Sequence, residues 1–499
     1  MGANMVSMDP VDASWYRMDG ATNLAMVTGV ALTREPLHFE RVRTVFASRL
    51  LHLRRFRQRA VEAGFPYATP HWEEDPHFAI EDHFHHVALP EPRDKQALLD
   101  LLSDIASTPL DYRRPLWQVH IVDRVDGGSA MILRFHHCVG DGAAMMAIAQ
   151  LLFDTQRDAP LERETAQMRP PRAGLLDSLA RPVSHLIEQS AQAISGGASL
   201  MLHPMQAAEL AQLAVRSAGI AVGTLFKTPD PPSPLKGTLG IPKRVAWSEP
   251  LSVRDVKDVG KATNAKINDV LVAAMAGALR HYMQRRGAEV DGLTIRGVVP
   301  VDLRRADRAL ELGNRFGLVF LDLPVGVAGP VERLYATKRH MDAIKRSPEA
   351  AVFLGILNIF GRTPRPVEDL AVSIFGSKAT LVLTNVAGPR EQFYLAGSAI
   401  DRMMFWVPHP ANLGMGISIL SYNGMVTLGL VADAGLVPDP EHITEEFNRE
   451  FERLRAAVHA GSVVGAVQPA FCAATTVSGR PCKNRPLPGS AYCRVHQLK

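Results

Sequence analysis

Apolar residues along this chain recur in two rhythms, every second position and every third or fourth, and the switches between them mark out its elements. Residues 27–32 form a short apolar run of strand type, as does Met131-Ile132-Leu133. Between them, Val42, Val45, Phe46, Leu50 and Leu53 fall at helical spacing, which predicts one helix over 39–60. Helical spacing returns over 95–102. Two alternating stretches, 118–125 and 129–135, are separated by Asp126-Gly127-Gly128, a turn sequence that predicts a β-hairpin. A helix over 143–153 follows the hairpin directly.

The pattern breaks between 154 and 237. Pro170-Pro171, Gly196-Gly197 and the prolines of 229–234 cut it into pieces, of which 175–195 and 205–226 read as helices. Both are apolar with few acids, suited either to packing across a domain seam or to lipid contact. Periodicity resumes with a strand at 244–247, a helix over 253–262 and a long helix from 267 through 283, where Asn268 or Asp269 supplies an N-cap. Strands follow at 297–301, 319–323, 379–386, 415–420 and 426–431, then a final helix over 442–458. The expectation is an α/β chain with a first domain at 1–160, a partly helical crossover at 161–240, a second domain at 241–465 and a separate tail at 470–499.

Composition narrows the function classes. An apolar content of 46% with 21% charged residues is that of a globular protein. The net charge of +4 is too small to argue for nucleic acid, and it does not oppose an anionic membrane surface. Residues 1–12 carry no basic and apolar leader pattern, and no run approaches the roughly 18 apolar residues of a spanning helix. Cys138 stands alone in mid-chain and the other cysteines lie in the tail, which points to a reducing compartment rather than a disulfide framework. The predicted helix at 39–60 carries Arg41, Arg43, Arg49, Arg54, Arg55, Arg57 and Arg59 away from its apolar side, either as a solvated face or as one turned to a membrane or CoA. His83, His85 and His86 suit strand packing or zinc ligation.

The densest chemistry is Arg134-Phe135-His136-His137-Cys138-Val139-Gly140-Asp141-Gly142, at the exit of the hairpin's second strand. A neutral imidazole titrates near 6.5 and can take a hydroxyl proton at neutral pH, which suits general-base chemistry. A buried histidine pair that serves packing alone is the competing reading. Asp141 could fix the turn or the ring orientation, and Gly142 lets backbone come close.

Together with Pro10-Val11-Asp12-Ala13-Ser14, Pro115-Leu116-Trp117, Asn268-Asp269-Val270, Pro300-Val301-Asp302-Leu303-Arg304 with Gly313-Asn314, Thr384-Asn385-Val386-Ala387-Gly388-Pro389 and Ser421-Tyr422-Asn423-Gly424, this motif resembles the bacterial-type wax ester synthase/acyl-CoA:diacylglycerol acyltransferases, over about 5–458. The resemblance implies two chloramphenicol-acetyltransferase-like domains with a tunnel at their interface. It implies an acyl-CoA donor and a lipid alcohol acceptor, diacylglycerol or a long-chain fatty alcohol, with no catalytic cofactor and no nucleic-acid partner. His137 would be the general base, with His136 beside it, and Asp141 would pair with an arginine. Asn268 is a candidate oxyanion donor, a role that competes with helix capping. There is no Gly-x-Ser-x-Gly elbow to supply a serine nucleophile. The same fold could serve another alcohol or an amine, or bind acyl-CoA without catalysis. Lipid substrates and the basic stretch together suggest peripheral attachment to the inner face of the plasma membrane or to lipid droplets.

Two features depart from that family. Position 140 is glycine where an aliphatic residue is usual, which would loosen the loop holding Asp141. The tail carries Cys472, Cys482, Cys493 and His496 at the spacing C-x9-C-x10-C-x2-H, the ligand set of a closed structural zinc site. A segment so short needs such a staple to fold.

Overall fold

The computed structural model describes residues 5–62, 69–163, 227–304, 312–345, 349–360 and 372–461. The crossover helices expected at 175–195 and 205–226, and the Cys/His tail at 470–499, lie outside them. The first half runs β1 (Val6–Ser7), α1 (Pro10–Arg17), β2 (Met26–Thr33), α2 (Phe39–Arg49), β3 (Gln58–Val61), β4 (His71–Glu74), β5 (Phe84–Ala88), α3 (Lys95–Ser107), β6 (Trp117–Val125), β7 (Gly128–His136) and α4 (Gly142–Leu152). The second runs β8 (Lys243–Trp247), β9 (Leu251–Ser252), α5 (Val253–Ala262), α6 (Ile267–Arg285), β10 (Ile295–Asp302), β11 (Phe316–Leu323), α7 (Pro330–Ile344), α8 (Glu349–Phe360), β12 (Leu381–Ala387), β13 (Tyr394–Leu395), β14 (Ser398–Trp406), β15 (Met415–Tyr422), β16 (Met425–Asp433) and α9 (Glu441–His459). The chain is thus α/β, as expected.

Among the described residues the strands form three sheets. One has the order β13-β14-β2-β7-β6-β5 and another β11-β10-β12-β15-β16-β8, with β9 also on β16; β1, β4 and β3 make a small third sheet. The predicted hairpin of β6 and β7 forms, and its turn needs the left-handed backbone of Asp126 (φ 48°) and Gly127 (φ 85°). In the second sheet β12 runs parallel to β10 and β15. Helix α6 is apolar around most of its circumference because it is buried, and it sits in the second core with Phe447, Phe451 and Leu454 of α9.

One strand ignores the division by sequence position. β14 comes from the second half yet pairs antiparallel with β2 of the first sheet, from Ile400 on Thr33 to Trp406 on Thr28. Both of its faces are used. Met404 and Trp406 pack with Val431 and Trp247, and Phe405 joins the core around Phe135 and Trp15. A strand buried on two sides has no alternation to read.

The helix expected over 39–60 ends at Arg49; a 3₁₀ turn, Arg54–Arg57, follows, and then β3. The turn and β3 form around tertiary partners: Phe56 is fully buried, its carbonyl takes the Trp117 indole N–H at 2.9 Å, and β3 pairs with β4. The arginines of this stretch are not a free basic face. Arg54 bonds Glu74 at 3.0 Å, Arg59 bonds Glu73 at 2.6 Å, Arg43 bonds Glu81 at 2.6 Å, and the Arg55 guanidinium lies 3.8 Å over the Trp72 ring. Arg49 is buried outright. Its Nη1 and Nη2 each reach an Asp154 oxygen at 3.1 Å, and its other N–H groups serve the carbonyls of Leu152, Pro160 and Leu161. Asp154 keeps a second partner in Arg163, but Arg49→Ala removes a buried ion pair, orphans several carbonyls and leaves a cavity, so it should lower the unfolding free energy by about 3 kcal/mol, read as a shift of the urea midpoint at unchanged slope.

Candidate active site

The site begins with β7, which is buried along its whole length. His136 is its last residue and keeps the strand register, opposite Met26. Adjacent side chains on a strand point to opposite faces, so the two histidines part company here. The His136 ring lies against Tyr16 and Tyr112, 6.0 and 5.8 Å between centroids. Its Nδ1 accepts the Cys138 N–H at 3.1 Å, which puts the proton of the neutral ring on Nε2, 3.9 Å from Asp19 Oδ1. Asp19 is itself bonded by the Tyr112 hydroxyl and the Ala25 N–H. This is the surrounding of a structural histidine.

His137 turns the other way. Its backbone N–H reaches the Ala25 carbonyl at 2.7 Å. Its ring stacks on the Trp15 indole at 3.9 Å and 18°, with the Phe316 ring 5.8 Å away edge-on. Burial disfavours imidazolium and lowers its pKa to about 4, opposed by the Asp141 charge, the Asn314 side chain and its own carbonyl. The same cause takes His136 to about 3. Both rings are therefore neutral at neutral pH. Cys138, next in the chain, is fully buried, and burial pushes its thiol well above the ordinary range.

The turn after His137 is tied to the second half of the chain. Gly140 forms a backbone bridge with Gly313, whose N–H bonds the Val139 carbonyl at 3.2 Å. A Cβ at position 140 would stand 2.6 Å from that of Ala144, so glycine here fits helix α4 packed close to the loop. It does not loosen Asp141, against the expectation from sequence. Asp141 caps α4 through the N–H groups of Ala143 and Ala144 at 3.1 and 3.2 Å. It also takes Arg304 Nη1 on both oxygens, at 2.7 and 2.6 Å, and the Arg315 N–H at 3.1 Å. The arginine that the resemblance implied is thus Arg304. Gly142 opens α4, where a Cβ would touch Val386 at 3.6 Å. Beside it lies an apolar cavity of about 60 Å³, lined among others by Gly29, Leu133, Met145, Met403 and Phe405.

Asn268 is not a helix cap. Lys266 holds the N-cap position of α6, and Asp269, at the third helical position, accepts the Lys266 N–H at 2.8 Å. Asn268 Oδ1 instead accepts from Asn385 Nδ2 at 2.8 Å, and Asn385 precedes the Val386 that faces Gly142. The link from Asn268 to the motif runs through β12.

The other histidine cluster is packing. His83 bonds the Trp117 carbonyl at 2.8 Å and stacks on its ring at 4.4 Å, His85 lies against His120 at 4.7 Å, and His86 pairs with Asp123 at 2.6 Å. Among the described residues no group of His, Cys, Asp and Glu is placed to hold a metal ion. Cys472, Cys482, Cys493 and His496 lie outside those residues.

Sequence reasoning quoted Asp12 and Asn314 without giving them roles, and passed over Trp15. Asp12 Oδ1 accepts both the backbone and the side-chain N–H of Asn314, each at 2.9 Å, and Asn314 Nδ2 also bonds the His137 carbonyl at 2.8 Å. The one available signal was that Asp12 and Asn314 sit in short motifs shared with a single family.

Comparison with known proteins bears on this geometry. A family model described as the wax ester synthase/diacylglycerol acyltransferase catalytic domain matches residues 8–271, and the WS/DGAT C-terminal domain matches 312–455. The chain is 26% identical over 470 residues to the "Probable diacyglycerol O-acyltransferase tgs1" of Mycobacterium tuberculosis, covering 91% of this chain and 95% of that one. Its fold is similar to the wax ester synthase/diacylglycerol acyltransferase from Marinobacter aquaeolei VT8, with a TM-score of 0.63 at 19% identity over 91% of this chain and all of the other. It is also similar to the first condensation domain of the calcium-dependent antibiotic synthetase, with a TM-score of 0.54 at 15% identity over 91% and 96%. With family models matched across both halves, and the His136-His137 loop clamped between them, the chain belongs to the wax ester synthase/diacylglycerol acyltransferase family.

Proposed function

We propose that this protein transfers a fatty acyl group from acyl-CoA to the hydroxyl of a lipid alcohol, diacylglycerol or a long-chain fatty alcohol, with His137 as general base. The observation that carries the reading is a neutral, buried imidazole at a strand exit, stacked on Trp15 and held by contacts from both halves of the chain. The alcohol gives its proton to the His137 ring as its oxygen attacks the thioester carbonyl. The tetrahedral intermediate then collapses, the C–S bond breaks, and the proton passes to the departing thiolate, leaving ester and free CoA. Cys138 is a poor candidate for a covalent intermediate, because its burial opposes the thiolate that such chemistry needs. The bond from Asn385 holds the Asn268 carbonyl oxygen, which leaves its NH₂ group to donate to a developing oxyanion.

Peripheral contact with a membrane or lipid droplet belongs to the same proposal, resting now on the lipid nature of both substrates. The arginine stretch no longer supports it, since those side chains are paired, and no helix among the described residues is long and apolar enough to cross a membrane. A structural zinc held by Cys472, Cys482, Cys493 and His496 is proposed from their spacing alone.

Three outcomes follow. His137→Ala should cut release of free CoA from acyl-CoA and alcohol by about 10²–10⁴-fold while the protein still folds, whereas His136→Ala should lower thermal stability more than turnover. Near-normal turnover by His137→Ala would remove the mechanism. Because the folded His137 pKa lies below its ordinary value, the base stays unprotonated as pH falls past 6.5. The acid limb of kcat/KM set by this group should therefore appear near about 4. Metal analysis of protein purified without a histidine tag should find about one zinc per chain, lost in Cys482→Ser with acyl transfer retained.

A further inference from the structure

A general base is only as good as its tautomer. For the His137 ring to take a proton on one nitrogen, the other must already carry one, and something has to hold that proton in place. Asp141 does not do so, because its oxygens are taken up by Arg304, the α4 cap and Arg315.

Resting on His137 as base, we infer that Asn314, held by Asp12, is a positioning residue that keeps the His137 proton on Nδ1 and so leaves Nε2 as the basic nitrogen. Both hydrogens of the Asn314 amide are committed, one to Asp12 Oδ1 at 2.9 Å and one to the His137 carbonyl at 2.8 Å. The amide cannot be turned end for end, since its oxygen would then face the His137 carbonyl, which has no proton to give, and Asp12 Oδ1, which already accepts the Asn314 backbone N–H. Asn314 Oδ1 is therefore an acceptor pointing away from Asp12. It is buried without a hydrogen-bond partner, and so is His137 Nδ1. An orphaned polar atom in a dry interior is unfavourable, and a proton on Nδ1 shared with Asn314 Oδ1 would satisfy the two together. The Asn314 side chain favours the protonated ring, as does the ring's own backbone carbonyl. Hydrogen bonds in an unliganded site are commonly long and tighten around the substrate.

The backbone supports this arrangement. Helix α1 supplies Asp12 and, one turn on, Trp15, so a single element carries both the anchor for Asn314 and the stacking surface for the ring. Gly313 adopts φ +99°, a left-handed conformation open to glycine, and a Cβ there would come within 3.2 Å of Asp12 Oδ2. The Asp12 carboxylate is thereby received closely by the two residues 313 and 314.

Two substitutions and one spectrum test this. Asn314→Leu keeps the branched shape and removes the acceptor together with the amide donors; kcat should fall about 10- to 100-fold with KM for acyl-CoA unchanged, the mark of lost positioning rather than lost binding. Asp12→Ala should fall likewise, and Asp12→Asn, which keeps an oxygen for Asn314, should recover most of the rate. In ¹⁵N-histidine NMR of the wild-type protein, with the His137 signals assigned by their loss in His137→Ala, Nδ1 should be pyrrole-like and Nε2 pyridine-like. A proton on Nε2 in the wild type, or Asn314→Leu with wild-type kcat, would overturn the inference even if His137→Ala is inactive. If Asn314→Leu fails to fold, the wild-type spectrum and the Asp12 pair still decide. An active His137→Ala would instead bring down the general-base reading.

Discussion

The Asp141–Arg304 ion pair is the contact on which the rest of the site depends. Both groups are almost withdrawn from water, and the several hydrogen bonds each makes offset part of the desolvation penalty that makes most buried salt bridges a poor source of stability. Its main effect is geometric. Asp141 closes the first turn of α4, Arg304 ends the β10 segment of the other half, and joining them sets the loop between His137 and Gly142 against Gly313 and Asn314. The charged pair, the backbone bridge and the Asp12–Asn314 bonds converge within a few residues of one imidazole.

Dryness is the second constraint, and it decides the protonation state of everything nearby. The burial that keeps His137 and His136 neutral also keeps the Cys138 thiol protonated and raises Asp12 to about 7. A neutral base is useful; an un-ionised thiol stays out of the way. The buried charged pairs, Asp141 with Arg304 and Arg49 with Asp154, are each in direct contact.

The sheets make a continuous body through β14. Its hydrogen bonds belong to the first sheet, while its Trp406 indole bonds the Ala246 carbonyl of β8 at 3.1 Å and its Phe405 carbonyl takes the Ser418 hydroxyl of β15. A site built at such a seam draws residues from both halves without needing either to reach far.

The sequence by itself determined whatever rests on neighbours in the chain. The hairpin of β6 and β7 follows from alternation plus a turn that tolerates left-handed backbone, and α5 was legible residue for residue from its spacing. The histidine motif at a strand exit was legible too, and the family resemblance it carries supplied the fold class. What only the tertiary structure decided involves partners distant in sequence. A spacing that continues past Arg49 is cut short because Phe56 and β3 find Trp117 and β4. β14 was missed because its last residues, Met404–Trp406, are buried on both faces and show no alternation. Asn268, on local rules a helix cap, is instead a partner of Asn385, 117 residues away. The use of Asp12 and Asn314 at His137 depends on a contact across 302 residues, and local pattern holds no record of pairings made by folding.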